Sequence, residues 1–157
     1  MELQQERLDK IIRHINHVKD NCILLGEKLI KNGEEDFGRK LIANGYIHDN
    51  SKFHGIEWLY LHADVKESDK EKFELAVQVH LNQNEHHAEF WDGIENMPRI
   101  YLAELSCDVK ARSEEFGTSV EEWIKNKATK KYKFSKNGRV YKEIKEFMDL
   151  LLESSFK

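Results

Sequence analysis

From Leu8 to Leu29, apolar residues recur at three- and four-residue steps: Leu8, Ile11, Ile15, Val18, Cys22, Leu25 and Leu29. That period puts them on one stripe of a helix and commits residues 4–31 to an amphipathic helix, with Gly33 as its stop. The same spacing returns along the chain. Residues 36–49 predict a second helix with Phe37, Leu41, Ile42, Gly45 and Tyr46 on its buried side. Ser51 is placed to cap a third, carrying Phe53, Ile56, Glu57, Tyr60 and Leu61. Asp64 to Lys70 reads as a charged connection. Residues 69–82 predict a fourth helix with Phe73, Ala76, Val77 and His80 on one face. A polar segment, Asn82 to His87, leads to Phe90 and Trp91, and residues 92–98 read as a loop.

After Pro98 a fifth helix is expected to run to about Glu115, with Tyr101, Leu105, Asp108 and Arg112 one below another and Gly117 ending it. Thr118 or Ser119 opens a short helix containing Trp123. Lys125 to Arg139 is basic and polar and reads as a mobile loop or short hairpin. The last helix, 140–154, buries Val140, Ile144, Phe147, Leu150 and Leu151. Pro98 is the one proline in 157 residues, and no stretch alternates with period two over strand length. The expectation is an all-α fold: a single helical bundle spanning 1–157, with its core at about 4–123, a basic loop at 125–139 and a C-terminal helix at 140–154.

The formal net charge of -4 disfavours bulk nucleic-acid binding as the main activity. Cys22 and Cys107 sit inside apolar helical patterns and read as reduced packing residues of a cytoplasmic protein. The polar, acidic N-terminus does not read as a signal peptide, and no apolar run approaches the roughly 18 residues a membrane span needs.

Chemistry concentrates at Ile47-His48-Asp49-Asn50-Ser51-Lys52. Adjacent side chains on a helix diverge by about 100°, so His48 and Asp49 can converge on one ion only at a helix end. Other imidazoles and acids fall near inner faces of predicted helices: His14 at the edge of the first stripe, His80, His86 with His87, and Asp108. His17 projects further toward the polar side. A single histidine on an apolar face is ordinarily a hydrogen-bonded core residue. Several such rings with two acids in one interior each need a partner, and a bundle that projects them inward can build a carboxylate–imidazole metal site.

The order His … His-Asp … His … His … Asp in an all-helical chain resembles the HD-domain superfamily of metal-dependent phosphohydrolases. More closely, five pieces resemble a small bacterial and phage family within or near it. They are His14-Ile15-x-x-Val18, His48-Asp49-x-Ser51-Lys52-Phe53 with Glu57, Asn84-x-His86-His87-x-x-Phe90-Trp91, Met97-Pro98, and Glu104-x-x-Cys107-Asp108. The resemblance covers residue 14 to about 123. It implies that His48 and Asp49 are the signature pair, with Asp49 bridging where two metals bind, and that Asp108 is the distal aspartate. His14 matches the first histidine, with His17 as the alternative. His80 and one or both of His86 and His87 match the extra histidines of binuclear members. Lys52 matches a lysine that faces phosphate. One or two divalent ions are implied, with Fe, Mn, Zn, Co and Mg not distinguished.

The implied activity is hydrolysis of a nucleotide or other small phosphate ester. Asp49 and Lys52 would act at the reacting centre, and Lys52, Trp91 and Arg112 are the candidates for holding substrate. For Trp91 core packing competes with that role, and for Arg112 an ion pair with Glu115 or Glu104 does. Glu57 and Glu104 are candidates for orienting ligand histidines. The same ligands also serve diiron HD-fold oxygenases. A metal-stabilised, non-enzymatic binding module using the basic run Lys125 to Lys136 is a third possibility.

Overall fold

The computed structural model describes residues 2–153 and is all-helical, with no strand among them. Helix α1 (Glu2–Lys31) begins two residues before the sequence expectation and is the long spine. Val18, Cys22, Leu25 and Leu29 of its stripe are wholly buried, whereas Leu8, Ile11 and Ile15 are only partly covered. Helix α2 (Glu35–Ile47) folds back along α1, and the close approach depends on glycine. A Cβ on Gly45 would lie 2.6 Å from Cys22 Cβ and 3.2 Å from Lys19 Cα, and one on Gly26 would lie 2.6 Å from Ile42 Cγ1. Tyr46, expected on the buried side of α2, is 63% exposed, because Gly38, Leu41 and Gly45 already carry the buried face.

The expected continuation of α2 through Asp49 does not occur. The helix stops at Ile47, and a 3₁₀ turn (Asn50–Phe53) leads into α3 (Gly55–Tyr60). Ser51 is not the cap of α3; it lies inside that turn, and its hydroxyl is engaged elsewhere. A further 3₁₀ turn (Glu67–Asp69) precedes α4 (Lys70–Gln83), and the predicted loop before Pro98 contains the 3₁₀ turns Ala88–Trp91 and Ile94–Asn96.

Helix α5 (Arg99–Phe116) is the centre of the bundle, packing on α1, α2 and α8. Leu102, Ala103, Leu105, Cys107 and Ala111 are buried around its whole girth, as expected of a helix enclosed by others. Buried Glu104, Ser106, Asp108 and Ser113 are interleaved with them. Cys107 meets Cys22 across the α1–α5 contact. Both are free thiols, and Cys22 is held well above its usual range by its hydrogen bond to Cys107 and by burial. Gly117, in the left-handed region at φ 64°, ends α5 by donating to Ser113 O.

The largest departure from expectation is the basic run. Ser119 caps a helical segment over 120–132 by accepting from the Glu122 N–H at 3.2 Å. It is built of α6 (Val120–Glu122), a π-helical stretch (Trp123–Ala128) and α7 (Thr129–Tyr132). So residues 125–132 are helix rather than loop or hairpin, and only 133–138 form a turn. The physical reason is spacing: Val120, Ile124 and Ala128 recur at four-residue steps and are buried, with Phe134 closing the patch. The lysines project outward between them and mask the pattern.

Helix α8 (Arg139–Leu152) seats Val140, Ile144, Phe147, Met148 and Leu151 in the core. Its expected last residue, 154, lies outside the described residues. No helix among the described residues is long and apolar enough to cross a membrane.

The α1–α2 contact predicts a contrast between neighbours. Gly45→Ala is expected to lower stability by about 1–2 kcal/mol, overpacking outweighing the gain in helix propensity. Tyr46→Ala is expected to change it by less than about 0.5 kcal/mol. Thermal or urea unfolding followed by circular dichroism reads both.

Candidate metal centre

Histidines and acids far apart in sequence meet in the interior beside α5. His14 comes from α1, His48 from the end of α2, Asp49 from the turn, His80 from α4, His86 and His87 from the segment after α4, and Asp108 from α5. His14, His48, Asp49, His80, His86 and Asp108 are all buried. Their donor atoms form two sets within which every atom lies within 4.8 Å of the others, Asp49 with His80, His86 and His87, and His14 with His48 and Asp108; a third such group, His48 with His86 and Glu104, overlaps both.

Asp49 stands between the sets. Its Oδ1 is 3.2 Å from His86 Nε2 and 3.5 Å from His80 Nε2, while Oδ2 is 3.6 Å from His48 Nε2 and 3.8 Å from His14 Nε2. Asp108 Oδ1 is 3.1 Å from His14 Nε2, and its Oδ2 is 3.9 Å from both His48 Nε2 and His86 Nε2. The local backbone explains how adjacent residues aim at one place. His48 is extended (φ −51°, ψ 131°) and Asp49 is left-handed (φ 55°, ψ 19°), a conformation aspartate tolerates better than most residues.

The outer nitrogens of these rings are bound to carboxylates. His14 Nδ1 donates to Glu115 Oε1 at 2.8 Å, His48 Nδ1 to Glu104 Oε1 at 2.9 Å, and His80 Nδ1 to Glu57 Oε2 at 2.8 Å. His86 Nδ1 lies 3.3 Å from Glu104 Oε1. A carboxylate can only accept, so each Nδ1 carries a proton, and Nε2 is the ring atom turned to the interior. Ser51 donates to Glu57 Oε2 at 3.0 Å and accepts from Asn84 Nδ2 at 3.0 Å, and Asn84 also donates to His80 O at 2.8 Å, so the turn, α3 and α4 are tied together behind His80.

Among the described residues, the buried polar side-chain atoms without a hydrogen-bond partner include His14 Nε2, His48 Nε2, His86 Nε2, Asp49 Oδ1 and Asp108 Oδ1. All five face this one region. His80 Nε2 and His87 Nε2 approach to 3.0 Å, where two lone pairs repel unless a proton or cation lies between them. Asp49, Glu57, Glu104 and Asp108 are four buried carboxylates, and the one lysine among them is Lys52, whose Nζ donates to Asp49 Oδ2 at 2.6 Å. Imidazole nitrogens and carboxylate oxygens in this proportion suit divalent transition metals, and the negative charge they leave uncompensated calls for cations. The residues fit one or two such ions.

Protonation reports the same field. Burial raises the Asp49 carboxyl, but the neighbouring His48 and His86 and the Lys52 ammonium outweigh it and hold Asp49 well below the usual range. Asp108 is likewise held far down, burial being overcome by the adjacent His14 and His48 rings. Burial opposes charge on His86, yet the adjacent Asp49 and Glu104 carboxylates push it up to about 10. His87, which lacks such a partner, is pushed by burial and by the neighbouring rings to about 3.

Not every candidate reaches the centre. His17 turns outward to Glu114 and lies 3.4 Å from Glu115, so His14 is the histidine of α1 that joins the cluster. Trp91 donates to Glu85 O at 2.8 Å and packs on Tyr101 at 5.5 Å between ring centres, which is its core-packing role. Arg112 pairs with Glu115 at 3.3 Å. A cavity of about 370 Å³ opens beside the cluster, with His87 and Asp108 in its lining; Arg112, Trp123, Lys131 and Tyr132 line it as well. Neither Lys52 nor Trp91 does. Glu115 was not foreseen; its signal was only that it follows Asp108 by two helical turns. The cavity residues Lys131 and Tyr132 were hidden in the run read as a loop.

A family model described as a family of unknown function (DUF5662) matches residues 3–153, and the chain belongs to that family. No curated protein and no solved structure matches it.

If the carboxylates orient the rings, their loss should weaken metal without unfolding the bundle. Glu104→Gln and Glu115→Gln are each expected to reduce Mn²⁺ or Zn²⁺ affinity by about 10- to 100-fold, as removing such partners does elsewhere. His14→Ala should abolish one site, and His17→Ala should leave affinity unchanged. Calorimetric titration of chelator-treated protein measures each case.

Proposed function

We propose that this member of the DUF5662 family is a metal-dependent phosphohydrolase acting on a small phosphate ester. The observation that carries this reading is the division of Asp49. Its two oxygens face two separate sets of imidazole nitrogens, the arrangement expected of a carboxylate shared between two cations. The resemblance of His48-Asp49-x-Ser51-Lys52 and its companions to the HD-domain superfamily supports the same reading, as does a cavity that reaches both sets through His87 and Asp108.

Divalent ions bound here would supply positive charge to phosphoryl oxygens and lower the pKa of water toward neutrality. The chain's own residues do the rest. Glu57, Glu104 and Glu115 hold His80, His48 with His86, and His14 in the tautomer that exposes Nε2. Lys52 fixes Asp49 Oδ2 and keeps that carboxylate ionised while buried. The ammonium also offsets charge where negative charge develops in phosphoryl transfer. Bundle walls exclude bulk water from Asp49 and His48, which strengthens every charge interaction inside. Hydrolase chemistry is preferred to dioxygen activation because Lys52 beside Asp49 and Lys131 in the cavity lining suit an anionic substrate.

Turnover is the direct test. Metal-loaded protein should hydrolyse at least one member of a panel of nucleoside monophosphates, nucleoside triphosphates, cyclic dinucleotides and an aryl phosphate. Asp49→Ala should reduce that rate by about 10²- to 10³-fold, the scale seen when one charge-stabilising group is lost. An unchanged rate in Asp49→Ala would overturn the mechanism, and iron content with oxygen uptake but no phosphate release would point to an oxygenase.

A further inference from the structure

The cavity beside the cluster is more than an opening. Its lining includes His87 from one donor set and Asp108 from the other. The helical segment at 120–132 supplies a wall of Trp123, Lys131 and Tyr132. Trp123 and Tyr132 are half-buried and set edge to face, with ring centres 6.4 Å apart and planes at 67°. Leu105 and Val109 continue the apolar lining from α5.

Lys131 is exposed, its ammonium 5.0 Å from the Tyr132 ring centre, and no carboxylate lies within ion-pair distance of it among the described residues. The helix carrying this wall is π-helical from Trp123 to Ala128, a departure from α geometry that is frequent at functional sites. The volume, about 370 Å³, is at the small end for ligand sites and admits one small molecule.

Resting on the phosphohydrolase reading, we propose that this cavity is the selectivity pocket of the site: it takes a phosphate monoester whose organic group is an aromatic ring, with the phosphoryl group at the His87–Asp108 end, the ring against Trp123 and Tyr132, and Lys131 attracting the anion. The parts of the Trp123 and Tyr132 rings that line the cavity, Tyr132 being also stacked on Phe134, and a lysine with no carboxylate partner match a flat, π-rich anion. A bare sugar phosphate would leave those faces without a complementary surface. An aryl group and a nucleobase share this chemistry, and the probes below separate them.

The test measures binding rather than turnover, using non-hydrolysable phosphonates with the metal-loaded protein in a calorimeter. The probes are methylphosphonate, phenylphosphonate, ribose 5-phosphonate and adenosine 5′-methylenephosphonate. At least one ring-bearing probe should bind about tenfold tighter than both ring-free ones, the scale of one aromatic stacking contact. A preference confined to the adenosine probe would identify a nucleoside substrate, and one shared with phenylphosphonate an aryl group. Trp123→Ala should bring the affinity for ring-bearing probes down to that for ring-free ones; Tyr132→Leu serves equally if that variant does not fold. Lys131→Gln, on the surface, should weaken the ring-bearing probe severalfold and flatten its salt dependence.

Equal binding of all four probes by wild type, or a preference that survives both aromatic substitutions, overturns this assignment while leaving the phosphohydrolase reading intact. Failure of wild type to bind any phosphonate overturns both. Phosphonate binding that persists undiminished in Asp49→Asn contradicts the phosphohydrolase reading on which the assignment rests.

Discussion

Everything at the centre of this bundle depends on the bonds between histidine Nδ1 atoms and the carboxylates of Glu57, Glu104 and Glu115. A free imidazole in an apolar core would satisfy both nitrogens or swing to the surface. Here Glu57, Glu104 and Glu115 engage the outer nitrogens, so the inner ones are left facing one another and facing Asp49 and Asp108. Buried polar atoms left unpaired cost about 1–3 kcal/mol each, and several of them together rival the whole stability of a domain this size. Divalent cations held there would offset that cost for both donor types at once, and metal binding and folding would then be one linked equilibrium.

Periodicity made the helices legible. The stripes of α1, α4, α5 and α8 follow from three- and four-residue spacing, and burial of Leu25, Leu29, Ile144 and Phe147 matches it. Two kinds of information were not in the period. Where α2 stops depends on a left-handed residue at Asp49, which a helical pattern running to that residue does not reveal. The segment 120–132 hides its apolar spacing among lysines, so its charge was read as solvated loop. Val120, Ile124 and Ala128, four residues apart, are the signal that could have found it.

The cluster itself was legible to differing degrees. His48 and Asp49, with Lys52 after them, stand together in the chain, and His80 and Asp108 lie on apolar faces that point inward. Glu104, one turn before Asp108 on α5, was readable as a partner for the same reason. Glu115 was not: its partner His14 lies on another helix, and nothing local joins them. Trp91 shows the opposite error, since an aromatic residue near a His-His pair suggests stacking on a ligand. Its indole N–H is committed to the Glu85 carbonyl and its ring to Tyr101.

Adjacent His48 and Asp49 can share one centre only at a helix end, because a continuous helix would splay them. The resolution is a chain of small constraints. Gly45 lets α2 lie against Cys22 and Lys19 of α1, which brings the end of α2 level with His14. The helix then ends before His48, and the left-handed Asp49 turns back so that its Oδ2 lies 3.6 Å from His48 Nε2. Lys52, three residues on, holds that carboxylate in place. The candidate ligands are thus positioned by α1–α5 and the turn, whereas much of the cavity wall belongs to a segment anchored by its own apolar residues, Val120, Ile124 and Ala128. Because the two parts are held by different contacts, a change in Trp123 or Lys131 can alter what enters the cavity without moving Asp49. The fold separates the groups that would perform the chemistry from the groups that would choose its substrate.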